Sequence, residues 1–216
     1  ITEPSTLAVT TTKTDIVCNG AASGAIDLTV TGGTPGYLYV WSNGSVNEDL
    51  SSVTAGTYSV TVRDANNCSL AASANITQPT ALSVAVNLQN VKCFGGNNGS
   101  ITANANGGNG GYIYNWSNGA NTAAITGLSM GNYTLSLQDA MNCATTLTLH
   151  VGQPTAITLT ETHTHVSCNG GTNGSVNLSV SGGSPGYTYL WNNATTQQDL
   201  TNVLANPYTV IVTDAN

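Results

Sequence analysis

Short runs of alternating apolar and polar residues, each closed by Gly, Asn or Pro, fill this chain. In its first third they fall at Leu7–Thr12, Ala25–Thr31, Tyr37–Trp41, Leu50–Val53, Tyr58–Arg63 and Ser69–Ile76. A period of two marks a half-buried strand, and no 3.6-residue period marks a helix anywhere. Two runs fix their own faces. In Tyr37-Leu38-Tyr39-Val40-Trp41 the alternation sets both tyrosines and the tryptophan on one side, and in Tyr58-Ser59-Val60-Thr61-Val62 it does the same for Tyr58, Val60 and Val62. Short strands with no crossover helix between them predict antiparallel pairing in two packed sheets, an immunoglobulin-like sandwich with a tyrosine corner at Tyr58.

The pattern then repeats. Cys18, Cys93 and Cys168 lie 75 residues apart, as do Trp41, Trp116 and Trp191, and Tyr58, Tyr133 and Tyr208. Self-similarity at a fixed period indicates an array of like units. Gln78-Pro79-Thr80-Ala81 and Gln153-Pro154-Thr155-Ala156 mark the boundaries, with Glu3-Pro4 closing a preceding unit. The expected units are therefore residues 5–79, 80–154 and 155–216, with residues 1–4 ending the one before and the last unit cut short. The aromatic strand recurs as Tyr112, Tyr114 and Trp116, then Tyr187, Tyr189 and Trp191. Few other large side chains exist to fill a sandwich, so Tyr37, Tyr39, Trp41, Tyr58 and their repeats are expected in the core.

Composition narrows the function. Only 6% of residues are charged and the net charge is −7, with three Lys plus Arg in total. No basic patch exists to neutralise phosphates, which excludes nucleic acid and anionic membrane surfaces as partners. No apolar run approaches the roughly 20 residues that span a bilayer, so membrane insertion is not expected either.

Cys18 and Cys68 are 50 residues apart, as are Cys93 and Cys143. One disulfide within each repeat, Cys18–Cys68 and Cys93–Cys143, is the expectation, with Cys168 unpaired because its partner position lies past Asn216. Such bonds imply an oxidising, extracytoplasmic setting. One feature strains the pairing. In a plain immunoglobulin topology the two loops that carry Cys18 and Cys68 sit at opposite ends, whereas a disulfide needs Cα atoms within roughly 7 Å. Either Cys18 begins a returning segment or the strand order is a variant.

Little catalytic chemistry is visible. Asp64, Asp139 and Asp214, with Asn66, Asn142 and Asn216 nearby, supply oxygens of the kind that hold calcium, but each loop offers a single carboxylate and turn capping is the simpler role. His163 and His165 would share one side of a strand, yet their equivalents are Lys13 and Asp15 in the first repeat, and Leu88 and Asn90 in the second. No His or paired carboxylate recurs beside the serines to act as a base. The chain is thus expected to be no enzyme and to use no cofactor.

Cys18-Asn19-Gly20, Thr31-Gly32-Gly33, Pro35-Gly36-Tyr37-x-Tyr39-x-Trp41 and Tyr58-x-Val60-x-Val62-x-Asp64-x-x-x-Cys68 together resemble the SprB repeat, three times over. The second repeat departs at Phe94 and Gly110, the third at Asn206-Pro207, all in loops. The resemblance implies a shaft or adhesive segment of a large adhesin on the bacterial cell surface, exported by type IX secretion and linked to gliding. Its implied partners are a surface polysaccharide or other extracellular ligand and the neighbouring repeats, with lateral bundling left open. The alternatives are a multivalent glycan-binding module and a spacer in a secreted enzyme.

Overall fold

The computed structural model describes residues 2–216. The first repeat contains β1 (Ala8–Thr14), β2 (Gly24–Thr31), β3 (Leu38–Trp41), β4 (Leu50–Val53), β5 (Gly56–Arg63) and β6 (Ser69–Ile76). They form two sheets, β1-β2-β4 and β3-β5-β6, with antiparallel pairing in each. This is a plain immunoglobulin-like order with no strand switched between sheets. The second repeat holds β7 (Ser83–Gln89), β8 (Gly99–Asn106), β9 (Ile113–Trp116), β10 (Ala124–Leu128), β11 (Gly131–Gln138) and β12 (Ala144–Val151), in sheets β10-β8-β7 and β12-β11-β9. The third holds β13 (Thr158–Thr164), β14 (Gly174–Ser181), β15 (Thr188–Trp191), β16 (Leu200–Val203) and β17 (Val210–Thr213), in sheets β13-β14-β16 and β15-β17.

By packing, the chain forms two compact units. One is the chain through Ala85 with Asn104–Asn115 and Leu135–Thr146; the other is Val86–Ala103, Trp116–Thr134 and Leu147–Asn216. The division runs through the second repeat.

The core of the first repeat follows from the period of two. Ile26 and Leu28 on β2 point inward while Asp27 and Thr29 face water, and Val60 and Val62 do the same on β5. Trp41 sits opposite Val60 in the register, and Ile16, Leu50, Val53 and Ile76 close the cluster. In the third repeat Leu178, Trp191 and Leu200 form the corresponding cluster, and a cavity of about 500 Å³ opens beside Gly174, Trp191 and Tyr208.

The tryptophans and tyrosines divide. Trp41, Trp116 and Trp191 are 2–4% exposed, and each indole N–H donates to a backbone carbonyl six residues on, at 2.9 Å: Asn47, Thr122 and Gln197. The nine tyrosines, expected in the core, are half-buried: Tyr37, Tyr39, Tyr58, Tyr189 and Tyr208 pack against the core clusters, while a phenol hydroxyl must reach a polar partner at the rim or water. Tyr37 and Tyr112 donate to Gly32 and Gly107 carbonyls at 2.6 and 2.8 Å, and Tyr187 donates to that of Gly182. Tyr58, Tyr133 and Tyr208 donate to the carbonyls of Thr54, Ser129 and Leu204, four residues upstream, which is tyrosine-corner geometry.

The expected disulfides are replaced by another. Cys18 is bonded to Cys143, with Cα atoms 5.5 Å apart, and Cys68, Cys93 and Cys168 are free and exposed. The physical reason is the plain strand order. It leaves the loops of Cys18 and Cys68 at opposite ends of the first repeat, and neither a returning segment nor a variant topology brings them together.

Candidate functional site: the junction between repeats

Two kinds of loop carry the cysteines. The early loop follows the first strand of a repeat and is fastened to that repeat's trailing end. Ile16 N–H donates to the Thr77 carbonyl at 2.9 Å, and the Thr77 N–H donates to Asp15 Oδ1 at 2.7 Å. That N–H bond, followed by the Lys13 ammonium at 2.9 Å, holds the Asp15 carboxyl below the ordinary 3.8. The boundary motif then completes the fastening: the Gly20 N–H donates to Gln78 Oε1 at 2.8 Å and the Asn19 amide to the Pro79 carbonyl at 2.9 Å. The second repeat uses three of these bonds, Phe94 standing where Asn19 donates in the first. Val91 N–H meets the Gly152 carbonyl, Gly152 N–H meets Asn90 Oδ1, and Gly95 N–H meets Gln153 Oε1, all at 2.9 Å. Gln78 and Gln153 therefore position the early loop as well as ending a repeat, a role sequence reasoning missed although the Gln was visible.

The late loop precedes the last strand and is built around an aspartate at the repeat's leading end. Asp64 Oδ1 accepts the N–H groups of Asn66 and Cys68 at 2.9 and 2.8 Å, while Oδ2 accepts that of Thr34 at 2.9 Å. Asp139 accepts from Met141, Cys143 and Asn109 in the same way, and Asp214 from Asn216 and Ser184. Asn67 and Asn142 take a left-handed conformation, both at φ 63°, which lets the loop turn back toward the cysteine. The Gly-Gly pair before the aromatic strand fits this end. A Cβ on Gly32 would lie 2.0 Å from the Thr6 carbonyl oxygen, and one on Gly33 2.9 Å from Asp64 Oδ2.

For Asp64 the Thr34 N–H bond dominates; with those of Cys68 and Asn66 it outweighs burial and keeps the carboxyl below its ordinary value. For Asp139 burial is the largest single influence and pushes upward, yet the N–H bonds from Asn109, Cys143 and Met141 together overcome it. Both carboxylates thus face backbone donors, the arrangement of a turn cap. Among the described residues no group of three or more His, Cys, Asp or Glu gathers. His163 and His165 lie edge to face at 4.8 Å, with His163 Nδ1 3.1 Å from Glu161, at the exposed end of β13.

At the first junction the two kinds of loop meet. The early loop of the first repeat abuts the late loop of the second, Cys18 bonds to Cys143 across 125 residues of sequence, and Asn109 locks the approach. Its amide donates to the Val17 carbonyl at 2.9 Å and to Asp139 Oδ2 at 3.0 Å. A cleft of about 350 Å³ runs beside the bond, lined by Asn19, Thr80, Leu82, Gly108 and Thr145 among others.

The chain is similar to several solved multidomain structures. They include extracellular domains 3–5 of Drosophila OTK, at 12% identity and TM-score 0.29, covering 83% of this chain and 82% of that one. An amphioxus IgVJ-C2 molecule is 13% identical, with TM-score 0.28, over 66% of this chain and 96% of its own. Domains 7–9 of the S-layer protein SbsC are 18% identical, with TM-score 0.23, over 71% and 60%. No curated protein matches the chain. The profile described as SprB repeat matches residues 10–46, 85–121 and 160–196, just over half of the sequence at the 75-residue period, and the chain belongs to the SprB repeat family.

Proposed function

We propose that this chain is a non-enzymatic, load-bearing segment of an adhesive protein on the bacterial cell surface, built from sandwich units at residues 5–79, 80–154 and 155–216. The observation that carries the reading is the Cys18–Cys143 bond, which ties one repeat covalently to the next. A disulfide in this position offers tension a route that bypasses the strands between its ends. It also favours an oxidising, extracellular location. Attachment during gliding, export by type IX secretion and contact with a surface polysaccharide are the finer form of the proposal and rest on the family. The glycan-platform alternative loses its stacking faces, since all three tryptophans are buried with their N–H groups bonded internally.

Single-molecule pulling between the two termini tests the mechanical reading. With the bond intact, residues between Cys18 and Cys143 are shielded; adding reductant, or the substitution Cys143→Ser, releases 125 residues, roughly 400–450 Å of extra extension. An extension unchanged by reductant would contradict a load path through the bond.

A further inference from the structure

The second junction repeats the geometry of the first up to the bond itself. Cys93 occupies the early-loop position of Cys18, and its loop is fastened by Gln153 as that of Cys18 is by Gln78. Facing it is the late loop of the third repeat. The Asn216 amide donates to the Lys92 carbonyl at 3.3 Å, the equivalent of the Val17 carbonyl that Asn109 contacts, and Cys93 Sγ lies 3.6 Å from the Asn216 carbonyl oxygen. Asn216 also bonds the Ser184 hydroxyl, and Ser184 is the residue that Asn109 represents one period earlier. Two residues beyond Asn216 is the position that the period assigns to a late-loop cysteine.

We infer that Cys93 is a cross-linking site for the late-loop cysteine of the third repeat, and that Cys68 takes the early-loop cysteine of a repeat before the first, so that the junction bonds form a ladder along the array. Each rung joins a repeat to its neighbour and none closes within a repeat. Its formation is a two-electron oxidation: two S–H bonds break, one S–S bond forms, and two protons and two electrons leave. The oxidant is a disulfide, whose own S–S bond is reduced to two thiols by exchange. This accounts for the free thiols as well. Cys68, Cys93 and Cys168 are exposed, while the bonded Cys18 and Cys143 are half-buried at a completed junction.

The test lengthens the chain after Asn216 by a copy of residues 142–153, which supplies both the cysteine and a last strand for the third repeat. The protein is oxidised with glutathione disulfide, alkylated, digested without reduction and mapped by mass spectrometry. The expected result is a peptide pair joining Cys93 to the added cysteine, with Cys68 and Cys168 joined to no other peptide, each alkylated or capped by glutathione. In a second version whose added cysteine is serine, Cys93 joins that unpaired set. An added cysteine bonded to Cys168 or to another molecule, or left free while Cys18–Cys143 forms in the same sample, would overturn the ladder. So would failure of Cys18–Cys143 itself, since that bond is the template.

Discussion

At the scale of single residues, the aspartates of the late loops show why a chain with 6% charged residues keeps a buried carboxylate in its first and second repeats. Asp64 and Asp139 are 4% and 1% exposed and use both oxygens to hold a turn against the leading end. Both have pKa values depressed in the fold, so the ionised form is the one the fold prefers. Their contribution to stability is complete above the unfolded value, about 4, and is lost as pH falls through the lower folded value. Urea midpoints measured from pH 7 to pH 2 should therefore hold steady down to about 4.5 and then drop. A midpoint that rose on acidification would contradict the capping role. The aspartates were legible in the sequence as turn residues, because Asp followed by Ala-Asn-Asn is local chemistry. The role of Gln78 was not, because its partner, Gly20, lies 58 residues away.

At the scale of elements, alternation located the strands to within one or two residues: Leu50–Val53 and Ser69–Ile76 as expected, and β5 starting at Gly56 instead of Tyr58. The faces of the aromatic strand were legible too, since a period of two admits only two choices. The depth of the tyrosines was not, because periodicity reports the side of a strand and not how far a long side chain reaches past the core. Packing between strands also escapes the pattern. Gly24 begins β2 with an ordinary backbone conformation, yet a Cβ there would lie 2.7 Å from Ile76 Cγ2 and 3.0 Å from the Val53 carbonyl oxygen. Gly24→Ala should destabilise the first repeat by about 1–3 kcal/mol through overpacking. Ile76→Ala alone should cost about 2–5 kcal/mol, and the double substitution less than the two together, because each removes part of the other's clash or cavity. Amide exchange along β5 under native conditions reads the first repeat separately. Strict additivity would show that the Gly24–Ile76 contact is not what fixes the glycine.

At the scale of the molecule, the cysteines separate what a period can say from what it cannot. Cys68 and Cys143 are the same position one period apart, so Cys18 is related to both by the repeat and spacing alone does not choose between them. The choice is made by topology. Plain sheet orders β1-β2-β4 and β3-β5-β6 put the early loop at the trailing end and the late loop at the leading end, and only a neighbour can then supply the partner. The conflict was visible in the sequence as a distance that a within-repeat bond could not span. The inter-repeat cross-link is the central claim, and it turns a string of small sandwiches into a covalently braced array. Digestion of the oxidised protein without reduction, followed by mass spectrometry, tests it most directly. A peptide pair joining Cys18 to Cys143, with Cys68 and Cys93 both alkylated, is the predicted result; pairs joining Cys18 to Cys68 and Cys93 to Cys143 would contradict it.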